Sequence, residues 1–401
     1  MTLEIRGGRG QQGATSAVRR ARCAVALVGG MAFVLVVAAG ARAEETVHPT
    51  LALGAPAPDF DLPGVDGRHH TLSEYASAPV LVVIFSANHC PTAQAYEARV
   101  QRLHDDYRKK GVAFVVISPN DPGAVRLDEL GYSDIGDSLE EMKIRAADRK
   151  FTFPYLYDGE SQSVSRAYGP AATPHVFVFD KERRLRFAGR IDNFEDPSKA
   201  TTHEARDAIE ALLAGKTPTV EKTRTFGCSV KWADKKAWAE EGFRQWAREP
   251  VDVKKASVTE IRALVANPTK NLRLVNVWAT WCGPCVIEFP DLVKTHRMYR
   301  GRDFEAITIS ADSSDNGDRV LAFLKSQQAS TTNLLFDGPD SDALAEAVDP
   351  KWSGALPTTI LVAPGGQVIW RSEGAFDPLA LRRAVVGWLG RYYHSKPGEG
   401  R

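Results

Sequence analysis

The stretch Val-Asn-Val-Trp-Ala-Thr-Trp-Cys-Gly-Pro-Cys, residues 275–285, decides the fold. It starts as an apolar run typical of a buried strand and ends in a Cys-x-x-Cys motif whose Gly and Pro suit the entry into a helix. The chain contains this pattern twice, because Val-Ile-Phe-Ser-Ala-Asn-His-Cys, residues 83–90, aligns with residues 275–282. In both copies a serine, Ser118 or Ser310, follows the aligned cysteine by 28 residues. We infer an internal duplication.

Each copy has the same predicted order of strands and helices: β, α, β, α, then a proline that opens a β-hairpin, then a closing helix at 204–213 or 378–389. The hairpin prolines are Pro174 and Pro357, and we expect both preceding peptide bonds to be cis. The pattern predicts an α/β protein in which two copies of a central mixed β-sheet flanked by helices follow one another. The predicted strands cover residues 80–85, 112–117, 175–179 and 185–187, and then 272–278, 304–309, 358–362 and 368–370.

The composition is that of an ordinary folded chain. Of the 401 residues, 43% are hydrophobic and 25% are charged, which argues against general disorder and against a protein with many membrane spans. The formal net charge is +1, and most of the positive excess lies in the first 43 residues. The remaining, mildly acidic body has no dense stripe of Lys and Arg, so we exclude nucleic acid and an anionic membrane surface as principal partners.

The first 43 residues are predicted to be a signal peptide. Five arginines precede an apolar run over residues 24–39, and Ala41-Arg42-Ala43 supplies the small residues of a cleavage site. Glu44 then begins the mature chain. The alternative is a retained membrane anchor, for which sixteen residues are short. We expect export to the periplasm or cell envelope, with no membrane contact beyond the export signal.

Four cysteines remain in the mature chain: Cys90, Cys228, Cys282 and Cys285. They are too few for a disulfide-stapled scaffold, so we expect them to do chemistry in a compartment where disulfides persist. A thiol at the start of a helix faces unpaired N–H groups that favour its thiolate, which makes Cys282 the nucleophile. Cys285, one turn later, is the resolving thiol and disulfide partner of Cys282. The cysteines and histidines do not have the spacing of a zinc or haem site, and we expect no metal or cofactor.

The motif and its surroundings, Val275 to Pro290, resemble the TlpA/ResA-type thioredoxin-like reductases, over a domain that we place at residues 251–395. The resemblance implies a thioredoxin fold, with Pro357 as the cis-proline that faces Cys282 and binds the partner chain. Asn276 stands where thioredoxin itself has a buried Asp. The proton acceptor for Cys285 therefore stays open, and Glu288 is either that acceptor or a solvated helix residue.

The first copy, placed at residues 51–214, has only half of the cysteine pair, because Ala93 stands at the position equivalent to Cys285. Asn88-His89-Cys90-Pro91 together with Ala172 to Phe177 resembles the peroxiredoxin-like branch of the AhpC/TSA-type redoxins. That resemblance implies an attacking cysteine, Cys90, and a cis-proline, Pro174. Ala87 and Val83 replace the Thr and Pro that hold the peroxide in true peroxiredoxins, so peroxidase activity is not implied. An inert, buried Cys90 is the alternative.

A connector, residues 215–250, is predicted between the two domains, with an aromatic helix packed on one of them. Its Gly227-Cys228 turn is within reach of the first sheet, and we expect a possible Cys90–Cys228 disulfide. Such a bond either supplies the resolving thiol that Ala93 cannot provide or only fastens the connector. A buried, unpaired Cys228 is the third alternative.

The leading function from the sequence is dithiol-disulfide exchange with extracytoplasmic proteins that carry dithiols or disulfides, driven by an upstream electron donor. The second hypothesis is a thiol peroxidase based on Cys90 and recycled by the second domain. The third is a copper-binding or metallochaperone module that uses His89 and Cys90. Two ligands that are adjacent in the sequence are few for a metal site.

Overall fold

The computed structural model describes residues 48–393, and they contain two sheets of the predicted mixed type. In the first, β3 lies between β4, which is parallel to it, and β6, which is antiparallel, giving the order β5-β4-β3-β6-β7. The elements of this first half are β1 (Asp61–Pro63), β2 (His69–Thr71), β3 (Leu81–Phe85), α1 (Pro91–Arg108), β4 (Ala113–Ser118), α2 (Leu139–Arg149), β5 (Tyr155–Tyr157), α3 (Ser163–Tyr168), β6 (His175–Phe179), β7 (Leu185–Gly189) and α4 (Glu204–Leu213).

The second sheet repeats this arrangement and adds a strand at one edge, in the order β13-β12-β9-β10-β11-β8. Here β9 takes the place of β3, with β10 parallel and β12 antiparallel to it. The helix α5 (Lys236–Ala247) belongs to the connector. The elements of the second half are β8 (Lys254–Ala256), α6 (Val258–Val265), β9 (Leu272–Trp278), α7 (Gly283–Tyr299), β10 (Phe304–Ser310), α8 (Gly317–Ser326), β11 (Thr332–Phe336), α9 (Ser341–Val348), β12 (Thr358–Val362), β13 (Val368–Glu373) and α10 (Pro378–Leu389).

The central strands are continuous apolar runs because helices cover both faces of each sheet. Every residue of β3 and β6 is buried, and in β9 only Arg273 is partly exposed. Each central strand ends where a cysteine caps the next helix, so Cys90 and Cys282 lie at corresponding positions of the two sheets. This α/β thioredoxin-like architecture was the prediction from the sequence, and it is confirmed.

The two sheets are packed together through the loop that follows β4. Val125 and Leu130 of that loop belong to the hydrophobic core of the second half. At the end of α7, the Tyr299 hydroxyl donates to the carbonyl of Ser133 at 2.7 Å, and Arg302 donates to the carbonyl of Gly131 at 3.0 Å. These contacts fix the end of α7 against the first half.

The connector packs on both halves rather than on one. Trp246 of α5 is buried, with Arg126 of the first half 5.7 Å and Arg300 of the second half 5.7 Å from its ring centre. Earlier in the connector, Lys222 pairs with Ala188 of β7 and Cys228 pairs with Thr173. The prediction of a helix on a single domain was wrong, because the Trp246 ring lies near cationic side chains of both halves.

The predicted signal peptide, residues 1–43, lies outside the described residues. Within residues 48–393, no helix has the length and apolar character that crossing a membrane requires.

Candidate functional site

Cys282 caps the N-terminus of α7, and the structure joins it to Cys285 in a disulfide. The Cys282 sulfur accepts a hydrogen bond from the backbone N–H of Cys285 at 3.3 Å. Cys285 is fully buried, whereas Cys282 is 6% exposed. The helix N-terminus therefore faces the sulfur of the less buried cysteine and would favour its thiolate in the reduced pair.

The loop before Cys282 is held by Asp312. This carboxylate accepts from the Thr280 N–H at 2.9 Å and from the Thr280 hydroxyl at 2.6 Å. The loop presents Trp281 to solvent with 64% of its surface exposed, and Ile287 on the first turns of α7 is 79% exposed. In the sequence, the disulfide is thus flanked by two large apolar side chains that are exposed to solvent.

Glu288 lies one helical turn beyond Cys285, and it is buried rather than solvated. Its carboxylate accepts from the Asn276 side chain at 2.9 Å and from the Phe376 N–H at 3.0 Å. Burial raises the pKa of Glu288 to about 7, against the hydrogen bonds from Phe376 and Asn276, which lower it. The alternative of a solvated residue was wrong, because β9 and the segment before α10 enclose this face of α7.

We expect Glu288→Gln to flatten the dependence of stability on pH. The pKa of about 7 in the folded chain exceeds the ordinary 4.5, so the folded state keeps a proton that the unfolded state releases. Stability therefore falls as pH rises from about 4.5 to about 7, by at most about 3 kcal/mol. Urea unfolding at pH 4 and pH 8 measures this loss, and the variant should show a smaller loss than the wild type. The exposed Glu240→Gln should leave the loss unchanged, and an unchanged loss in Glu288→Gln would show that Glu288 ionises normally.

Cys90 caps α1 in the first half as Cys282 caps α7. Its side chain is completely buried, and its sulfur accepts from the Ala93 N–H at 3.3 Å and contacts the Thr173 carbonyl at 3.2 Å. Burial raises the pKa of the Cys90 thiol, but the Cys228 thiol, the nearby His89 and the Ala93 N–H lower it more, so that the pKa falls to about 6. This sulfur is stabilised as a thiolate although it is buried.

The connector does return to the first sheet and brings Cys228 against Cys90. Thr173 donates its N–H to the Cys228 carbonyl at 2.9 Å, next to Pro174. Gly227 makes this approach possible, because its φ is +139° and a Cβ there would lie 2.0 Å from the Thr173 oxygen. Both thiols are free, and Cys228 is partly exposed. The structure thus brings the two cysteines together without a bond between them.

His89 and Asp137 form a buried pair beside Cys90. The His89 Nδ1 and an Asp137 oxygen are 2.5 Å apart, and the other ring nitrogen of His89 is buried without a hydrogen-bond partner. Burial lowers the pKa of His89, but the Asp137 carboxylate raises it above the ordinary value. Sequence analysis missed Asp137, which lies 47 residues after Cys90 in a loop, and no spacing pattern could have identified it.

Both Thr173-Pro174 and Leu356-Pro357 are cis, as predicted. The Thr173 carbonyl that contacts Cys90 belongs to the first of these bonds. Within residues 48–393, no group of three or more His, Cys, Asp or Glu side chains is arranged to hold a metal ion.

The two cysteine pairs lie toward opposite ends of α7. Cys282 caps the start of this helix, which is about 25 Å long. Tyr299 ends it against Ser133, whose hydroxyl donates to the Asn88 carbonyl at 3.4 Å. α10 lies between the same two regions: Phe376, just before the helix, donates its N–H to Glu288, and Tyr393, a few residues after the helix, contacts Cys228.

Two family models match the chain in tandem: the AhpC/TSA family over residues 53–188 and the redoxin family over residues 264–384. A thiol-disulfide oxidoreductase ResA of Geobacillus thermodenitrificans is 26% identical over 35% of this chain and 71% of that protein. The ResA of Bacillus subtilis is 30% identical over 24% of this chain, and the match spans about half of that relative, 49%.

Among solved structures, the crystal structure of an uncharacterized conserved protein from Geobacillus kaustophilus is 35% identical, covering 45% of this chain and 92% of that chain with a TM-score of 0.41. The AhpC/TSA-type assignment made from the sequence is confirmed by the first family model, and the TlpA/ResA-type assignment is confirmed by the redoxin model together with the ResA relatives. The chain therefore joins an AhpC/TSA-family domain to a redoxin-family domain and is similar to thiol-disulfide oxidoreductases.

Proposed function

We propose that the chain is an extracytoplasmic thiol-disulfide oxidoreductase that acts on dithiols and disulfides of other exported proteins through Cys282 and Cys285. The observation that carries the proposal is the position of the pair: the less buried cysteine caps a helix N-terminus and is bonded to a fully buried cysteine one turn later. The names of the ResA relatives support the same reaction class. The Arg-rich, apolar N-terminal segment supports export.

The reaction starts from the reduced pair. The Cys282 thiolate attacks one sulfur of a partner disulfide, forms a mixed disulfide and releases the other partner sulfur as a thiolate. Cys285 then loses its proton to the Glu288 carboxylate and attacks the Cys282 sulfur. This second step releases the second partner thiol and leaves the Cys282–Cys285 disulfide, so two electrons pass to the partner. An upstream dithiol donor returns them.

Glu288 is suited to this proton transfer because a pKa of about 7 lets it both accept and release a proton near neutral pH. The Asn276 amide that donates to Glu288 cannot itself accept a proton. The resolving step is therefore expected to accelerate as pH rises through about 7.

The exposed side chains of Trp281 and Ile287 supply an apolar surface for a protein partner beside Cys282. We place the extended partner chain between this surface and the loop at Pro357. Such a surface suits a polypeptide better than a small thiol, which has little apolar area to bury.

The test is turnover of insulin disulfides by the mature chain with dithiothreitol as electron donor. We expect catalytic turnover, together with slow or absent turnover of hydroperoxide and no stoichiometric copper binding. Hydroperoxide turnover without insulin reduction would favour the peroxidase hypothesis instead, and tight binding of one copper ion per chain would favour the metallochaperone hypothesis.

A further inference from the structure

In the cysteine pair of the first half, the more exposed residue and the residue whose sulfur is stabilised as a thiolate are different. Cys90 is completely buried and receives the N–H of Ala93 at the start of α1, whereas Cys228 is partly exposed and lies on the connector. In the second half, one residue, Cys282, has both properties. The two pairs therefore differ in whether the more exposed cysteine is also the one that caps the helix.

Electrostatics around Cys90 favour a thiolate that outside molecules cannot reach. His89 lies next to it, held by Asp137, which also accepts from the backbone N–H groups of Asn88 at 2.7 Å and His89 at 3.1 Å. A side-chain amide, that of Asn120, donates to the same carboxylate at 2.7 Å. This network fixes the imidazole and supports its positive charge beside the sulfur.

Cys228, in contrast, is partly exposed. A cavity of about 690 Å³ is lined by the residues on either side of it, Gly227 and Ser229, and by Ala172 before the cis bond. Arg190 and Arg224 lie at the same cavity. Arg190 is paired with Glu204, so it is the positive charge of Arg224 that favours the approach of an anionic nucleophile such as a thiolate.

We infer that Cys90 and Cys228 form a second, separate dithiol-disulfide centre in which an incoming thiolate attacks Cys228 and Cys90 is the leaving group. The assignment rests on the unequal burial of the two sulfurs, on the helix N-terminus and His89–Asp137 pair at Cys90, and on the cavity beside Cys228. It reverses the order that the resemblance to the AhpC/TSA-type redoxins implied, in which Cys90 attacks first.

The reaction oxidises a dithiol of another molecule. A partner thiolate attacks the Cys228 sulfur of the Cys90–Cys228 disulfide, and the bond to Cys90 breaks with release of the Cys90 thiolate. The second partner thiolate then attacks the partner's own sulfur in the mixed disulfide and releases Cys228. The partner dithiol becomes a disulfide, and the centre gains two electrons. An external disulfide reoxidises the centre by the reverse exchange.

A stabilised leaving group makes such a disulfide oxidising, because the reduced form of the pair is favoured. The co-reactant comes from outside the chain, since Cys282 lies toward the other end of α7 from this centre. The inference does not depend on the function proposed for Cys282 and Cys285.

Sulfite identifies the attacked sulfur, because it cleaves a disulfide into one S-sulfonate and one free thiol. The full mature chain is oxidised with glutathione disulfide, treated with sulfite under native conditions, alkylated in acid and mapped by mass spectrometry. We expect at least about ten times more S-sulfonate on Cys228 than on Cys90, as the unequal burial requires. In the same digest, Cys282 should carry the S-sulfonate of the other pair because Cys285 is fully buried.

S-sulfonate mainly on Cys90 would overturn the assignment. So would the failure of Cys90 and Cys228 to form a disulfide in glutathione disulfide, or a Cys90–Cys228 disulfide that sulfite leaves intact while it cleaves insulin added to the same tube. The modification of Cys282 is scored separately, so a failure of the function proposed for Cys282 and Cys285 is distinguishable from a failure here.

Discussion

Replacing Cys282 by Ser is expected to reduce the rate of insulin-disulfide reduction by on the order of 10³-fold or more. The hydroxyl that replaces the thiol is not ionised near neutral pH and cannot form a disulfide, so the first covalent step is lost. Cys285 cannot substitute for Cys282 as the attacking thiol, because Cys285 is fully buried in the first turn of α7. The rate is measured with dithiothreitol as donor, at equal protein concentration.

Ser326→Ala, at the exposed end of α8, is the control for a small side-chain change in the same domain and should keep the wild-type rate. Retained insulin reduction in Cys282→Ser would mean that another thiol carries the reaction. Unfolding monitored by circular dichroism separates a chemical loss from a loss of the fold.

Asp137→Ala is expected to destabilise the chain by about 3 to 5 kcal/mol. Asp137 is buried and accepts from two backbone N–H groups, from the Asn120 amide and from the His89 ring, so its removal leaves several donors without acceptors. The same change removes the charge that supports protonated His89, so the pKa of Cys90 should rise from about 6 toward its ordinary value.

Chemical denaturation gives the first quantity, and the absorbance of the thiolate as a function of pH gives the second. Asp106→Ala removes an exposed carboxylate with a single ion pair, to Arg206, and should change stability by no more than about 0.5 kcal/mol. A cost below about 1 kcal/mol for Asp137→Ala would show that the network around His89 contributes little to the fold.

The sequence predicted the central strands and closing helices well because they have clear apolar patterns bounded by turn residues. The strand β9 and the helix α10 have the predicted bounds. The edge strands β5 and β8 were missed because each has three residues, too few for a period, and Lys254 and Lys255 make β8 polar. Tertiary pairing with β4 and β11 fixes them instead.

The residues of the candidate site also divide into those with a local sequence signal and those without one. Cysteines, cis-prolines and the Gly227-Cys228 turn carry local signals, and the sequence identified them. Asp137 and the burial of Glu288 depend on which loops cover the ends of α1 and α7, and a single acidic residue has no local pattern that reports its burial. The same holds for Tyr299 and Ser133, whose contact joins the two halves across 166 residues.

The most direct test of the central claim uses Cys285→Ser, which keeps the nucleophile and removes the thiol that resolves the mixed disulfide. The variant is expressed in its exported form, free thiols are blocked in acid, and covalent complexes are isolated and mapped. We expect partner proteins linked to Cys282 to accumulate, and to be released by dithiothreitol. Complexes linked only through Cys90 or Cys228, or no complexes above the level in the Cys282→Ser, Cys285→Ser double variant, would contradict the account.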